Sequence, residues 1–366
     1  MPAKAAITHV EPAASASPRS RQLNIATPTG QAKSQRIPAL DFTKGALVLL
    51  MVLYHWANYF LEPPAKFYDY LRFLTPSFIF ITGFMVSHVY LSKYAAADPR
   101  LSRRLITRGV KLIAVFLTLN LARNLVGPML GTGAPARNLP FAASIFAVFV
   151  SGDFPVTGGK LISFSILVPI SYLLMLSGVL MLAYKRHKYI FHTACILLLL
   201  SILGLARFDI RVYNIEFITI GLLGVLTGFM PVRAINDIGR HPYLLAFAYL
   251  CYLTAITTWN VPFLLLVVGV FLTLIVIYLM GASGDERGSV NRGVILLGKY
   301  SLFGYISQIA ILQILNAGFR RLSFGFAALA ISFVAAFALT ILSVEVMDRG
   351  RALNVGVDWM YKLVFA

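Results

Sequence analysis

Apolar residues in this chain run in long blocks separated by short polar stretches. From Leu40 onward ten such blocks follow one another: 40–61, 71–92, 105–126, 161–184, 190–206, 215–231, 243–259, 262–280, 294–316 and 324–344. Each is about 17–25 residues long, the length a helix needs to cross a bilayer. The pattern predicts an all-α, polytopic transmembrane bundle of about ten spans. The interval 127–160 fits least well: its apolar stretch 141–150 is too short to span and predicts an interfacial or re-entrant helix. Residues 1–35 are rich in Ala, Ser, Pro, Thr, Gln and basic residues, and predict a disordered basic cytoplasmic tail with no cleaved signal segment. The division expected is therefore tail 1–35, membrane domain 36–344 and a cytoplasmic C-terminal segment 345–366.

Composition removes the soluble alternatives. Of the 366 residues 58% are hydrophobic and 13% charged, and mean hydropathy is +0.78. The net charge of +18 would suggest nucleic acid in a soluble protein. Here it follows the membrane instead. With the tail inside, the inner segments hold 20 of the 32 Lys and Arg, the sign the positive-inside rule requires. Both termini are thus expected in the cytoplasm, with no nucleic-acid partner. Cys195 and Cys251 both lie in apolar blocks and offer neither a disulfide framework nor a cysteine-based metal site.

Ionisable residues inside spans are costly and therefore informative. The first span holds Asp41, Lys44, Tyr54, His55 and Asn58. Lys44 and His55 are eleven residues apart, which is three turns plus about 20°, so both share one face about 16 Å apart along the axis. Asp41 stands three residues before Lys44 as its ion-pair partner, and Asn58 stands three beyond His55, where it could orient the ring. Of the six histidines, only His55 lies in the outer half of the membrane, the place for a base acting on an outer substrate. The plainer readings are that Lys44 snorkels to head groups and that His55 is an interhelical hydrogen-bonding residue.

The stretch Arg36-Ile-Pro-Ala-Leu-Asp41-Phe-Thr-Lys44-Gly45 through His55 resembles the opening of the acyltransferase-3 family of membrane acyltransferases. It is also similar to that of the related OpgC-like and heparan glucosaminide acetyltransferase-like proteins. That opening reads R-x-x-x-L-D-x-x-[RK]-G, then a histidine separated from the second basic residue by ten others. Pro76 to Met85 resembles the family's F-x-F-x-[ST]-G-[FY] segment. Arg103, Arg104 and Arg108 resemble the basic start of its third helix, and Leu297-Gly298-Lys299-Tyr300-Ser301 through Gln308 resembles L-G-[KR]-x-S-x-x-x-Y-x-x-H. Two departures stand out: Gln308 replaces the histidine of that last motif, and the proline often found after the third-helix arginines is absent.

The resemblance implies an acyl-CoA co-substrate, most simply acetyl-CoA, reaching in from the cytoplasm. It also implies a carbohydrate or glycolipid acceptor at the outer face, for O-acetylation or N-acylation, in a bacterial inner (plasma) membrane. No metal is called for. Lys44, Arg104 and Arg108 would then hold the donor phosphates, with Asp41 beside Lys44. His55 would be the general base, flanked by Tyr54 and Asn58; a transient acyl-histidine is a second route. Tyr54, Asn58, Ser77, Thr82 and Tyr305 are candidates for the oxyanion stabiliser. Ser301 and Tyr305 share a face as substrate contacts or as core packing, and Arg207 and Arg211 are acceptor contacts or a solvated loop. Membrane lipids are the remaining expected partner, and homo-oligomerisation is left open. The competing function is a transporter or flippase for a polar or lipid-linked substrate. It accounts for buried charge without chemistry, but the two halves of the chain show no self-similarity.

Overall fold

The computed structural model describes residues 37–61, 63–91, 99–126, 141–152, 162–184, 186–259, 263–284, 288–319 and 325–365. The tail 1–35 and most of 127–160 lie outside them. Among the described residues the chain is all-helical: α1 (Pro38–Phe60), α2 (Ala65–Asp69), α3 (Leu74–Met85) running into a π turn (Val86–Leu91), α4 (Pro99–Val126), α5 (Phe141–Val150), α6 (Leu167–Tyr184), α7 (Ile190–Arg207), α8 (Tyr213–Thr227), α9 (Val232–Ile238), α10 (Pro242–Thr258), α11 (Phe263–Ser283), α12 (Ser289–Lys299), α13 (Ser301–Phe319), α14 (Gly325–Leu353) and α15 (Val355–Phe365). Every one of the ten apolar blocks contains a helix. Among the described residues eight helical stretches are long and apolar enough to cross a membrane; α8 and α10 are shorter, at 15 and 17 residues.

Large apolar side chains on outer faces remain exposed, among them Leu197, Leu200 and Leu203 on α7 and Leu244, Phe247 and Leu250 on α10. A water-facing surface would not carry such a band, whereas lipid solvates it.

Helix α1 is central, packing on α3, α11, α12, α13 and α14. Its contact with α12 is backbone on backbone. A Cβ on Gly45 would overlap the carbonyl oxygen of Val294, four residues before Gly298; one on Gly298 would overlap that of Asp41, four before Gly45. The contacts advance together along both chains, Gly45 on Gly298, Val48 beside Gly304 and Tyr59 beside Gln313, so the helices run parallel with Gly45 and Gly298 level. At the far end the Trp56 indole N–H donates to Ser332 Oγ on α14 (3.0 Å). Helices α4 and α6 run antiparallel, with Ser102 Oγ donating to the Gly178 carbonyl (2.6 Å).

Five boundaries differ from the sequence pattern, the first being that the third block's helix starts at Pro99 rather than 105. The fourth helix starts at Leu167 rather than 161, because Asn120 takes both the N–H and the carbonyl of Ser163 and holds that backbone in a non-helical form. The ninth block is two helices, broken at Tyr300 (φ −111°, ψ 28°). The tenth helix continues past 344 to Leu353, since no proline interrupts it before Asn354 and Glu345 and Arg349 pair across one turn. The C-terminal segment is not a plain cytoplasmic extension: Asn354 Oδ1 accepts from the N–H groups of Gly356 and Val357 and so starts α15.

Candidate active site

The predicted stripe on α1 faces into the bundle. Val48 and Met51 lie between Lys44 and His55 on that face and are 0% and 3% exposed. Lys44 is paired with Asp41 at 2.5 Å, and its side chain is 18% exposed.

Lys44 borders a cavity of about 490 Å³. Five further cations line it: Arg108 and Lys111 from α4, Lys299 at the end of α12, Arg351 from α14 and Lys362 from α15. Three carboxylates are close at hand. Asp41 pairs with Lys44, Asp348 with Lys299 (2.8 Å), and Asp358 with both Arg351 and Lys362. Neither Arg108 nor Lys111 pairs with a described carboxylate; the Arg108 guanidinium stands 5.6 Å over the Tyr90 ring, which the wider π turn delivers to the cavity wall. Six cations against three anions leave a site that favours a polyanion. The rest of the wall is mainly apolar, including Ile81, Leu112, Ile170 and Leu174.

Tyr305, Phe78 and Thr82 also line this cavity. The Tyr305 ring lies between Phe78 (6.5 Å) and Phe164 (5.9 Å). Its hydroxyl makes no hydrogen bond to another described residue, whereas Thr82 spends its own on the Phe78 carbonyl. Tyr54 in turn meets His55 edge-on at 5.2 Å and Tyr68 at 5.5 Å. His55 is half-buried with its Nε2 inside the protein, and it does not itself border the cavity. Asn58, one turn beyond His55, accepts at Oδ1 from the Tyr68 hydroxyl at 2.6 Å. On α13 the Gln313 amide reaches the Tyr59 hydroxyl of α1 (3.5 Å), so Gln308, five residues before Gln313, stands near the level of His55, four before Tyr59. Gln308 is fully buried and neither end of its amide has a hydrogen-bond partner. Ser77 Oγ, beside Phe78 in the chain, is likewise buried and unpartnered.

The structure thus brings Lys44, Arg108, Ser301 and Tyr305 to one cavity. Arg104 lines an adjoining basic groove with Arg100 and Arg103, continuous with the cavity through Arg108 and Lys111. Arg207 and Arg211 are exposed and border neither. Lys111, Arg351, Tyr361 and Lys362 were missed in the sequence. The signal for the last two was the Asp358–Lys362 spacing downstream of an Asn cap. Among the described residues no group of His, Cys, Asp or Glu is arranged to hold a metal ion. Comparisons of the chain with family models, curated proteins and solved structures return no match.

Proposed function

We propose that this protein is an integral-membrane acyltransferase that crosses the bilayer ten times with both termini in the cytoplasm. It moves an acyl group, in the simplest case acetyl, from cytoplasmic acyl-CoA to a hydroxyl or amine of a carbohydrate or glycolipid at the outer face. One observation carries the reading: a cation-rimmed, apolar-walled cavity is bordered by both Lys44 and Tyr305, and α1 carries His55 three turns beyond Lys44 on the face turned into the bundle. A donor suited to such a site has a polyanionic head and a thin neutral arm, as CoA does.

With the thioester beyond Tyr305, His55 takes the proton of an acceptor hydroxyl as that oxygen attacks the thioester carbonyl. The C–S bond then breaks, and the departing CoA sulfur takes the proton from the imidazolium. Both the proton and the acyl group are accounted for, and no other reactant is needed. The Tyr305 O–H supplies a donor toward the oxyanion of the tetrahedral intermediate.

The test is transfer of labelled acetyl from acetyl-CoA by purified full-length protein, with membrane extract as acceptor. His55→Ala is expected to lower turnover by about 10²–10⁴-fold, the usual worth of a general base, with the melting temperature unchanged. Lys44→Met is expected to raise the KM for acetyl-CoA about tenfold, as for one lost charge-assisted bond. Unchanged turnover in a folded His55→Ala protein would remove the base.

A further inference from the structure

Helix α15 has no place in the sequence pattern of the site, yet it forms part of the cavity wall through Tyr361, Lys362, Val364 and Phe365. It is held there by a defined network. Arg351 donates to Asp358 Oδ1 through Nε (2.9 Å) and Nη2 (2.6 Å), and to the Tyr300 hydroxyl through Nη1 (3.2 Å). Tyr300 donates to Asp348, which also accepts from Lys299. The guanidinium lies 4.0 Å from the Tyr361 ring centre and 5.4 Å from that of Tyr300. Phe365 meets Phe303 at 5.9 Å. So α15 is tied to α12, α13 and α14 at once.

The charge balance of this network is incomplete. Asp358 is shared by Arg351 and by Lys362 at 2.5 Å, so one carboxylate answers two cations. The excess positive charge faces a cavity already bordered by Arg108 and Lys111, which have no described carboxylate of their own. A phosphate entering here meets donors from α4 on one side and from α15 on the other. The Tyr361 ring borders the cavity beside them, with Arg351 over it at 4.0 Å, Phe365 at 5.0 Å and the Tyr300 ring edge-on at 5.3 Å.

We propose that α15 is the nucleotide-recognising part of the donor site, with Lys362 and Arg351 meeting phosphates and Tyr361 packing against the base or ribose of the same ligand. The proposal rests on the CoA-type donor argued above and adds the element that distinguishes CoA from a bare pantetheine thioester. It also makes donor binding and α15 docking linked events, because the ligand competes with Asp358 for two cations that anchor the helix.

The test is calorimetric binding to the full-length protein in phosphatidylcholine nanodiscs, with three probes: CoA, adenosine 3′,5′-bisphosphate and pantetheine. CoA and the bisphosphate are expected to bind. Lys362→Met and Tyr361→Leu should each weaken both about tenfold, as for one charge-assisted or stacking contact, and leave pantetheine unaffected. Lys362→Arg should restore most of the affinity, which separates recognition from a folding defect. If CoA binds and both variants bind it as the parent does, α15 is not part of the site and the proposal falls while the donor reading stands. If the parent protein binds none of the probes, both fall. Variants that lose copurifying phosphatidylglycerol yet keep nucleotide affinity would assign the mouth to a lipid head group and also overturn it.

Discussion

Gly45 and Gly298 sit level on two parallel helices whose backbones touch, each glycine facing the carbonyl of the residue four before the other. Both belong to the sequence motifs on which the acyltransferase resemblance rests. Their contact sets the axial register of α1 against α12 and α13. It thereby puts Lys44 beside Lys299 at the cavity's cationic end, and the Tyr59–Gln313 contact puts His55 near the level of Gln308.

Filling that contact should be felt at a distance. Gly298→Val leaves no room for its side chain against the Asp41 carbonyl, so the helices must part. The expected destabilisation is about 1–3 kcal/mol, the range for overpacking a close contact. Thermal unfolding in detergent would measure it. An unchanged midpoint would mean that the helices are not in backbone contact.

Tyr305 holds the only one of the five oxyanion candidates whose hydroxyl both borders the cavity and lacks a partner among described residues. Removing it alone, as Tyr305→Phe, keeps the ring between Phe78 and Phe164. Turnover is expected to fall about 10²-fold, the low end for loss of one oxyanion donor, with the KM for the donor little changed. A fall confined to KM would make Tyr305 a wall of the site and nothing more.

The α1 stripe was legible because it needs only helical periodicity: eleven residues bring Lys44 and His55 to one face whatever surrounds them, and the burial of Val48 and Met51 between them follows. The positions of Lys111, Arg351 and Lys362 were not legible. They depend on where α15 folds back after Asn354, and local spacing carries no information about which cavity a terminal helix covers. The Tyr68 contact of Asn58 was hidden for a similar reason. The i+3 relation of Asn58 to His55 is real, and the Tyr68 hydroxyl, ten residues on and past a turn, takes its Oδ1. The break at Tyr300 was hidden inside an unbroken apolar block, where hydropathy has no signal for a change of helix axis.

Gln308 offers a way to tell a functional polar group from a structural one. A buried amide with both ends unpartnered lowers stability, and a leucine of similar volume removes that cost. Gln308→Leu is therefore expected to melt at the same or a higher temperature. Because Gln308 is near the level of His55, turnover should nevertheless fall. A variant that gains stability and keeps full turnover would show that the amide meets neither substrate nor base.

The docking of α15 should depend on pH through Asp358. Hydrogen bonds from Lys362 and then from Arg351 hold its carboxyl below the usual carboxylate range. A group depressed in the folded state binds its proton less readily there than in the undocked chain, where the ordinary value is about 3.9. Its contribution to docking is then fully present above about pH 4 and is lost as pH falls through the lower, docked-state value. Amide exchange in residues 355–365, corrected for intrinsic rates, is expected to show constant protection from pH 8 down to about 4 and a loss below it. Asp358→Asn should reduce protection at every pH above 4 and flatten the acid transition, since Arg351 and Lys362 then face an uncharged amide. Loss of protection centred near neutral pH in the parent protein would mean that a different group holds the helix in place.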